Sequence, residues 1–86
     1  MKYVVMSVRD RAIDSFGQPF YVAAIGQAIR SFSDAINSDK EDNICKHPDD
    51  FDLYHLGYFN DDGSGFELLD NPRLVSVGKD VLRPKG

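Results

Sequence analysis

One apolar stripe constrains this chain more than any other feature. Ile25, Ala28, Ile29, Phe32, Ala35 and Ile36 recur at helical spacing, while Gln27, Arg30, Ser31 and Asp34 fall on the opposite side. A period of 3.6 residues predicts an amphipathic helix with one face that must be buried. The stripe is small at Ala28 and Ala35, so a facing sheet can approach closely there. Asn37 and Ser38 supply the stop, followed by the polar run Asp39–Asn43. With 86 residues there is room for one domain, so the layer that covers the stripe has to come from the flanking segments.

Those segments read as strands. Tyr3–Arg9 is rich in β-branched and aromatic residues, with Val4, Met6 and Val8 on one face. Tyr3 and Val5 on the other face are also apolar, which suits a central strand. Asp10–Pro19 is polar and broken by Gly17 and Pro19, as a loop would be, and Phe20–Ala23 forms a short second strand after the proline. Beyond the helix, Phe51–Phe59 reads as a strand, Asn60–Gly65 as a turn and Phe66–Leu69 as the return strand. Asp70-Asn71-Pro72 reads as a second turn and Arg73–Val77 as a third strand. The expected fold class is α+β, a single helix packed on one face of a largely antiparallel four- to five-stranded sheet. Residues 1–80 make one compact domain and 81–86 a frayed C-terminal tail, with Val81 and Leu82 as the residues able to dock. Such a sheet leaves its other face for water, a ligand or a second subunit.

Charge is unevenly distributed. Fourteen acids and ten bases give a net charge of −4, yet eleven of the acids and only two of the bases lie between Asp34 and Asp70. The outer segments carry Lys2, Arg9, Arg11, Arg30, Arg73, Lys79, Arg83 and Lys85 against three acids. If the first and last strands lie close, these bases could form one positive face, although an ordinary solvated surface is the preferred reading. Overall acidity argues against strong nonspecific nucleic-acid binding, because that affinity comes from phosphate neutralisation. The aromatics divide similarly. The phenylalanines suit a core, whereas Tyr21, Tyr54 and Tyr58 suit either packing or stacking on bases.

Catalytic patterns are missing. No Gly-x-Ser-x-Gly elbow and no Gly-x-x-x-x-Gly-Lys phosphate loop occurs, and the carboxylates lie in polar loops. One Cys and two His fall short of the four ligands of a structural zinc site, so Cys45, His47, Asp49, Asp50 and His55 are not read as a metal centre. His47-Pro48-Asp49-Asp50 is expected to form a turn, with an Asp side chain accepting backbone N–H bonds. No catalytic residue, metal or cofactor is assigned. The lone cysteine fits a reducing compartment, no apolar run approaches the about 18 residues of a membrane span, and Met1–Val8 is too short for a secretory signal.

Four stretches taken in order carry a resemblance: Met6–Asp10, Phe16–Phe20, Gly26–Asp34, and Lys46–Phe51 with Leu53 and Leu56-Gly57. With them the chain resembles the small nonstructural protein of gokushoviruses, single-stranded DNA phages of the Microviridae, over most of residues 6–70. The match thins past Asn71-Pro72. The resemblance implies a protein of the infected bacterial cytoplasm, not a virion component. It also implies a role in viral DNA replication, at the stage of single-strand synthesis linked to packaging, and it brings no catalytic residues. The expected function is therefore that of a non-enzymatic accessory binding single-stranded DNA or a viral replication or procapsid protein. Arg9, Arg11, Arg30, Arg73 and Lys79 are the candidates for phosphate and Tyr21 for stacking. The alternative is a homodimeric protein–protein adaptor without nucleic-acid contact. A DNA mimic built on Asp39–Asp52 is a variant of the adaptor, and a small hydrolase or metal enzyme ranks last.

Overall fold

A computed structural model describes residues 1–84. The helix forms where the stripe places it, α1 at Ile25–Ile36, with Ala28, Phe32 and Ile36 buried. It lies on a wholly antiparallel sheet of β1 (Lys2–Asp10), β2 (Ser15–Phe16), β3 (Phe20–Val22), β4 (Phe51–Asn60) and β5 (Gly65–Val77). β1 is central, as its two apolar faces required. β4 pairs along one side of it, while β2 and β3 share the other side, divided at Gly17–Pro19. β5 lies beyond β4 and completes the sheet. The fold is α+β, a curled antiparallel sheet with one main helix against it.

Val4, Met6 and Leu53 from the sheet meet Ala28, Phe32 and Ile36 from α1 in one cluster, with Val8, Phe20, Tyr58 and Val75 packed around it. Burial of this stripe is the principal stabilising term, at roughly 25 cal/mol for each Å² of apolar surface removed from water. Two short helices, α2 (Asn43–Lys46) and α3 (Gly78–Val81), and a 3-10 turn at Pro48–Asp50 close the edge of this layer. Asn37 ties the end of α1 to the C-terminal segment. Its Nδ2 donates to the carbonyls of Ser33 at 2.8 Å and Val81 at 3.0 Å, and its Oδ1 accepts from the Arg83 N–H at 2.7 Å. Val81 packs on the core, while the expectation for Lys85 and Gly86 lies outside the described residues.

The region after Leu69 differs from expectation. Asp70-Asn71-Pro72 is not a hairpin turn and Arg73–Val77 is not a separate third strand; both belong to β5. His55 of β4 pairs with Arg73 and Gly57 with Leu68, so only Leu56 of β4 spans the gap that four residues of β5 fill. The turn-forming residues are accommodated as a bulge, where the missing N–H of Pro72 costs no ladder bond. Gly57 permits this arrangement, because a Cβ there would lie 2.4 Å from the Glu67 carbonyl oxygen and 2.8 Å from the Leu68 Cα. The loop Asp10–Pro19 also contains structure that its polarity concealed, since Arg9 pairs with Phe16 and Asp10 with Ser15. His47–Asp50 turns as expected, with Asp50 N–H donating to the His47 carbonyl at 3.0 Å, but no side chain caps it.

Candidate functional site

Strand registers define what lies on the side of the sheet away from α1. Directly paired residues share a face and alternate residues along a strand share a face. Tyr3, Phe59 and Phe66 form one row, Val5, Gly57 and Leu68 the next with Tyr21 across from Val5, and Ser7, Tyr54 and Leu74 a third. Arg9 and Phe16 extend the series. Among the described residues no helix covers this side, so Tyr21 is 48% exposed, Phe66 55% and Leu68 69%. Val5 and Ser7 are nonetheless buried. The Ser7 hydroxyl donates to the Gly17 carbonyl at 2.8 Å and the Gly17 N–H donates to the Val8 carbonyl at 2.8 Å, so the link between β2 and β3 is held against β1.

The rings make two groups. Tyr21, Phe59 and Phe66 are mutually in contact, with centroids 5.0 Å apart for Phe59–Phe66 and 5.8 Å for Tyr21–Phe59. With Tyr3 they line a shallow apolar depression of about 340 Å³. At the other end Phe16 and Tyr54 meet edge to face at 5.2 Å, and the Arg9 guanidinium lies 5.9 Å from the Phe16 centroid.

The cations on both sides of the sheet are engaged, Arg9 and Arg11 at the uncovered face and Lys2 on the α1 side with Tyr58 and Glu67. Arg9 pairs with Asp14, whose carboxylate raises the guanidinium pKa above its ordinary value. Arg11 pairs through Nε with Asp52 at 3.0 Å and also donates to the Asp49 carbonyl. Lys2 bonds Glu67 at 2.9 Å while lying 4.5 Å from the centroid of the Tyr58 ring, and it holds the Glu67 carboxyl below the usual carboxylate range. At the β4–β5 tip the Ser64 hydroxyl and N–H both donate to Asp62, which lowers the Asp62 pKa.

The six residues nominated from sequence do not converge. Arg9 and Tyr21 lie on the uncovered face, and Arg11 sits beside its end in an ion pair. Arg30 is in a cleft between α1 and the C-terminal segment, close to Arg83. Arg73 pairs across from His55, hence on the α1 side of the sheet, and Lys79 is in α3. Among the described residues Arg30, Arg73 and Lys79 make no ion pair, but they are spread over different elements. Lys85 lies outside the described residues. Cys45 is likewise remote from the buried His55. Its Sγ donates to the Ala35 carbonyl at 3.1 Å, whereas the His55 Nε2 is 2.9 Å from the Gly57 carbonyl oxygen and the His55 ring abuts Tyr58.

Sequence reasoning assigned the phenylalanines to the core, and for Phe16 and Phe66 the structure corrects this. Phe20 and Phe32 pack beneath α1, while Phe16 and Phe66 stand exposed on the other side. A usable signal was the apolar pair Tyr3 and Val5 on the second face of β1. Leu68 and Leu74 gave no such signal, because two bulges separate their register from the hydrophobic pattern. Among the described residues, no helix is long and apolar enough to cross a membrane. No curated protein and no solved structure matches the chain. Residues 3–81, nearly its whole length, match the family described as Phage ORF5 protein, and the chain therefore belongs to that phage family.

Proposed function

We propose that this phage protein is a non-enzymatic accessory to viral DNA replication, serving single-strand synthesis and packaging in the cytoplasm of the infected bacterium. It acts by contact with a replication or procapsid protein through the uncovered aromatic face of its sheet. The observation that carries this reading is the pairing of an apolar face with cations already engaged: Tyr21, Phe66 and Leu68 are exposed, while Arg9 and Arg11 are each held by a carboxylate. Binding to phosphate draws on free cations that release counterions, whereas protein interfaces draw on buried aromatic anchors with few charges at their centre. The replication stage rests on the resemblance to gokushovirus nonstructural proteins, and the family match supports a phage protein.

Single-stranded DNA, named first among the expected partners, becomes the second reading, supported by the exposed Tyr21 and Phe66 rings and by Arg9 beside Phe16. Stacking on such rings contributes about 1–3 kcal/mol per base. Recovery of the tagged protein from infected cells, with and without nuclease, separates the two. The protein-contact reading expects viral replication or procapsid proteins to be recovered despite nuclease and lost on Tyr21→Ser. Recovery abolished by nuclease, together with salt-sensitive binding of a labelled oligonucleotide at micromolar concentration, would transfer the function to DNA. A homodimer without other partners would appear as concentration-dependent sedimentation and no viral protein recovered.

A further inference from the structure

On the uncovered side of the sheet, two buried side-chain atoms have no partner among the described residues: the Arg9 Nε and the Asp52 Oδ1. Arg9 pairs directly with Asp52 across β1 and β4, so their side chains share a face and their Cβ atoms lie about 4.5–5.5 Å apart. Asp52 is 5% exposed, and its other oxygen accepts from the Arg11 Nε at 3.0 Å. Arg9 is turned instead to Asp14, whose side chain is 80% exposed in the turn between β1 and β2. One orphaned atom is a donor and the other an acceptor, and neither presents surface to an outside ligand. The arrangement satisfies the weaker demand. An exposed ion pair contributes little, whereas a buried polar atom left unpaired is costly and a charge-assisted bond inside the protein is strong.

We infer that Arg9 alternates between Asp14 and Asp52, a two-position ion-pair switch that governs the Phe16 end of the aromatic face. On Asp14 the guanidinium lies 5.9 Å from the Phe16 centroid, beside the edge-to-face pair that Phe16 makes with Tyr54. On Asp52 it turns inward, pairs its Nε with the unpaired carboxylate oxygen and leaves Phe16 and Tyr54 clear for a partner. Asp52 then lies between Arg9 and Arg11, one buried carboxylate serving two cations. The turn after β1 loses its tie to Arg9 but keeps the backbone pairing of Arg9 with Phe16 and Asp10 with Ser15. Arg9 is neutralised in both positions, so neither frees it for phosphate. Asp14 is the control point: a group that engages its exposed carboxylate shifts the equilibrium toward Asp52, by its differential affinity for the two states. The pairing rests on register and burial, and its bearing on function rests on the protein-contact reading above.

The test is the Arg9 Nε–Hε resonance of the 15N-labelled full chain, assigned by its loss in Arg9→Lys. Asp14→Gly removes the outer partner, and glycine adopts the backbone φ of 52° at that position without strain. It should move the Arg9 Hε downfield, slow its exchange with water at least tenfold and weaken its Overhauser contacts with the Phe16 ring, all with an unchanged far-UV spectrum. Asp52→Asn, close to isosteric, should do the reverse, and the wild-type resonance should lie between the two. The double variant should lose the slowed exchange. An Arg9 Hε that does not move in Asp14→Gly, as a water bridging Arg9 and Asp52 would give, overturns the inference. So does a wild-type resonance that coincides with either single variant, or slowed exchange that survives in the double variant. Should Asp52→Asn not fold, the shift and exchange of Arg9 in Asp14→Gly decide alone. If Arg9 moves as expected while no viral protein is recovered with the tagged chain, the switch stands and the protein-contact reading falls; if Arg9 stays while Tyr21-dependent recovery persists, the reverse holds.

Discussion

Phe32 and Phe66 sit on opposite sides of the same sheet, and truncating each to alanine tests whether one side is core and the other surface. Phe32 is 2% exposed beneath α1. Removing an aromatic ring of about 200 Å² from such a site costs about 3–5 kcal/mol, in line with roughly 25 cal/mol per Å². Phe66 is 55% exposed, so only about 90 Å² of it is withdrawn from water, worth at most about 2 kcal/mol. A domain of 86 residues has roughly 4–13 kcal/mol in total. Phe32→Ala therefore approaches the whole stability, and Phe32→Leu, expected to cost about 1–1.5 kcal/mol as a volume-conserving change, keeps the comparison readable. Urea unfolding followed by far-UV circular dichroism at two protein concentrations is the assay. Each kcal/mol corresponds to about 4–8 °C in Tm for a domain of this size. A cost for Phe66→Ala equal to or greater than that of Phe32→Ala, a cost for Phe66→Leu equal to or greater than that of Phe32→Leu, or a cost that grows with protein concentration would refute the reasoning, since Phe66 would then be buried in solution by a second copy.

Gly57→Ala should destabilise by about 2 kcal/mol or more, because its Cβ would enter the space of the Glu67 carbonyl and the Leu68 Cα. Thermal unfolding measures the loss, and amide exchange should quicken first in residues 65–69. Asn37→Ala removes two hydrogen bonds from the end of α1 to Val81 and Arg83, and one back to Ser33, and should cost about 1–3 kcal/mol; faster exchange at Arg83 with β1 still protected would localise the effect. Glu67→Gln should produce a pH-dependent difference. The folded carboxyl is held below its ordinary value by Lys2, so its contribution is present above the unfolded value and is lost as pH falls through the folded one. The wild type and variant should thus differ at neutral pH and low salt and converge below the usual carboxylate range, as acid titration of the melting temperature would detect.

The amino-acid sequence by itself determined α1, because a helix stripe is local: spacing from Ile25 to Ile36 and the stop at Asn37 leave one burial pattern available. It likewise determined β1 as a central strand, since Val4 and Met6 on one face and Tyr3 and Val5 on the other demand cover on two sides. The α+β class follows from those elements. Only the tertiary structure decided that Arg73–Val77 continues β5, that Phe16 and Phe66 stand outside the core, and that Arg9 and Arg11 are neutralised while Arg30 and Lys79 lie elsewhere. Those facts depend on pairing between residues distant along the chain. A bulge such as the one at Leu56 shifts which side chains share a face, and neither the shift nor the partner of a charge is encoded in any local period of the sequence.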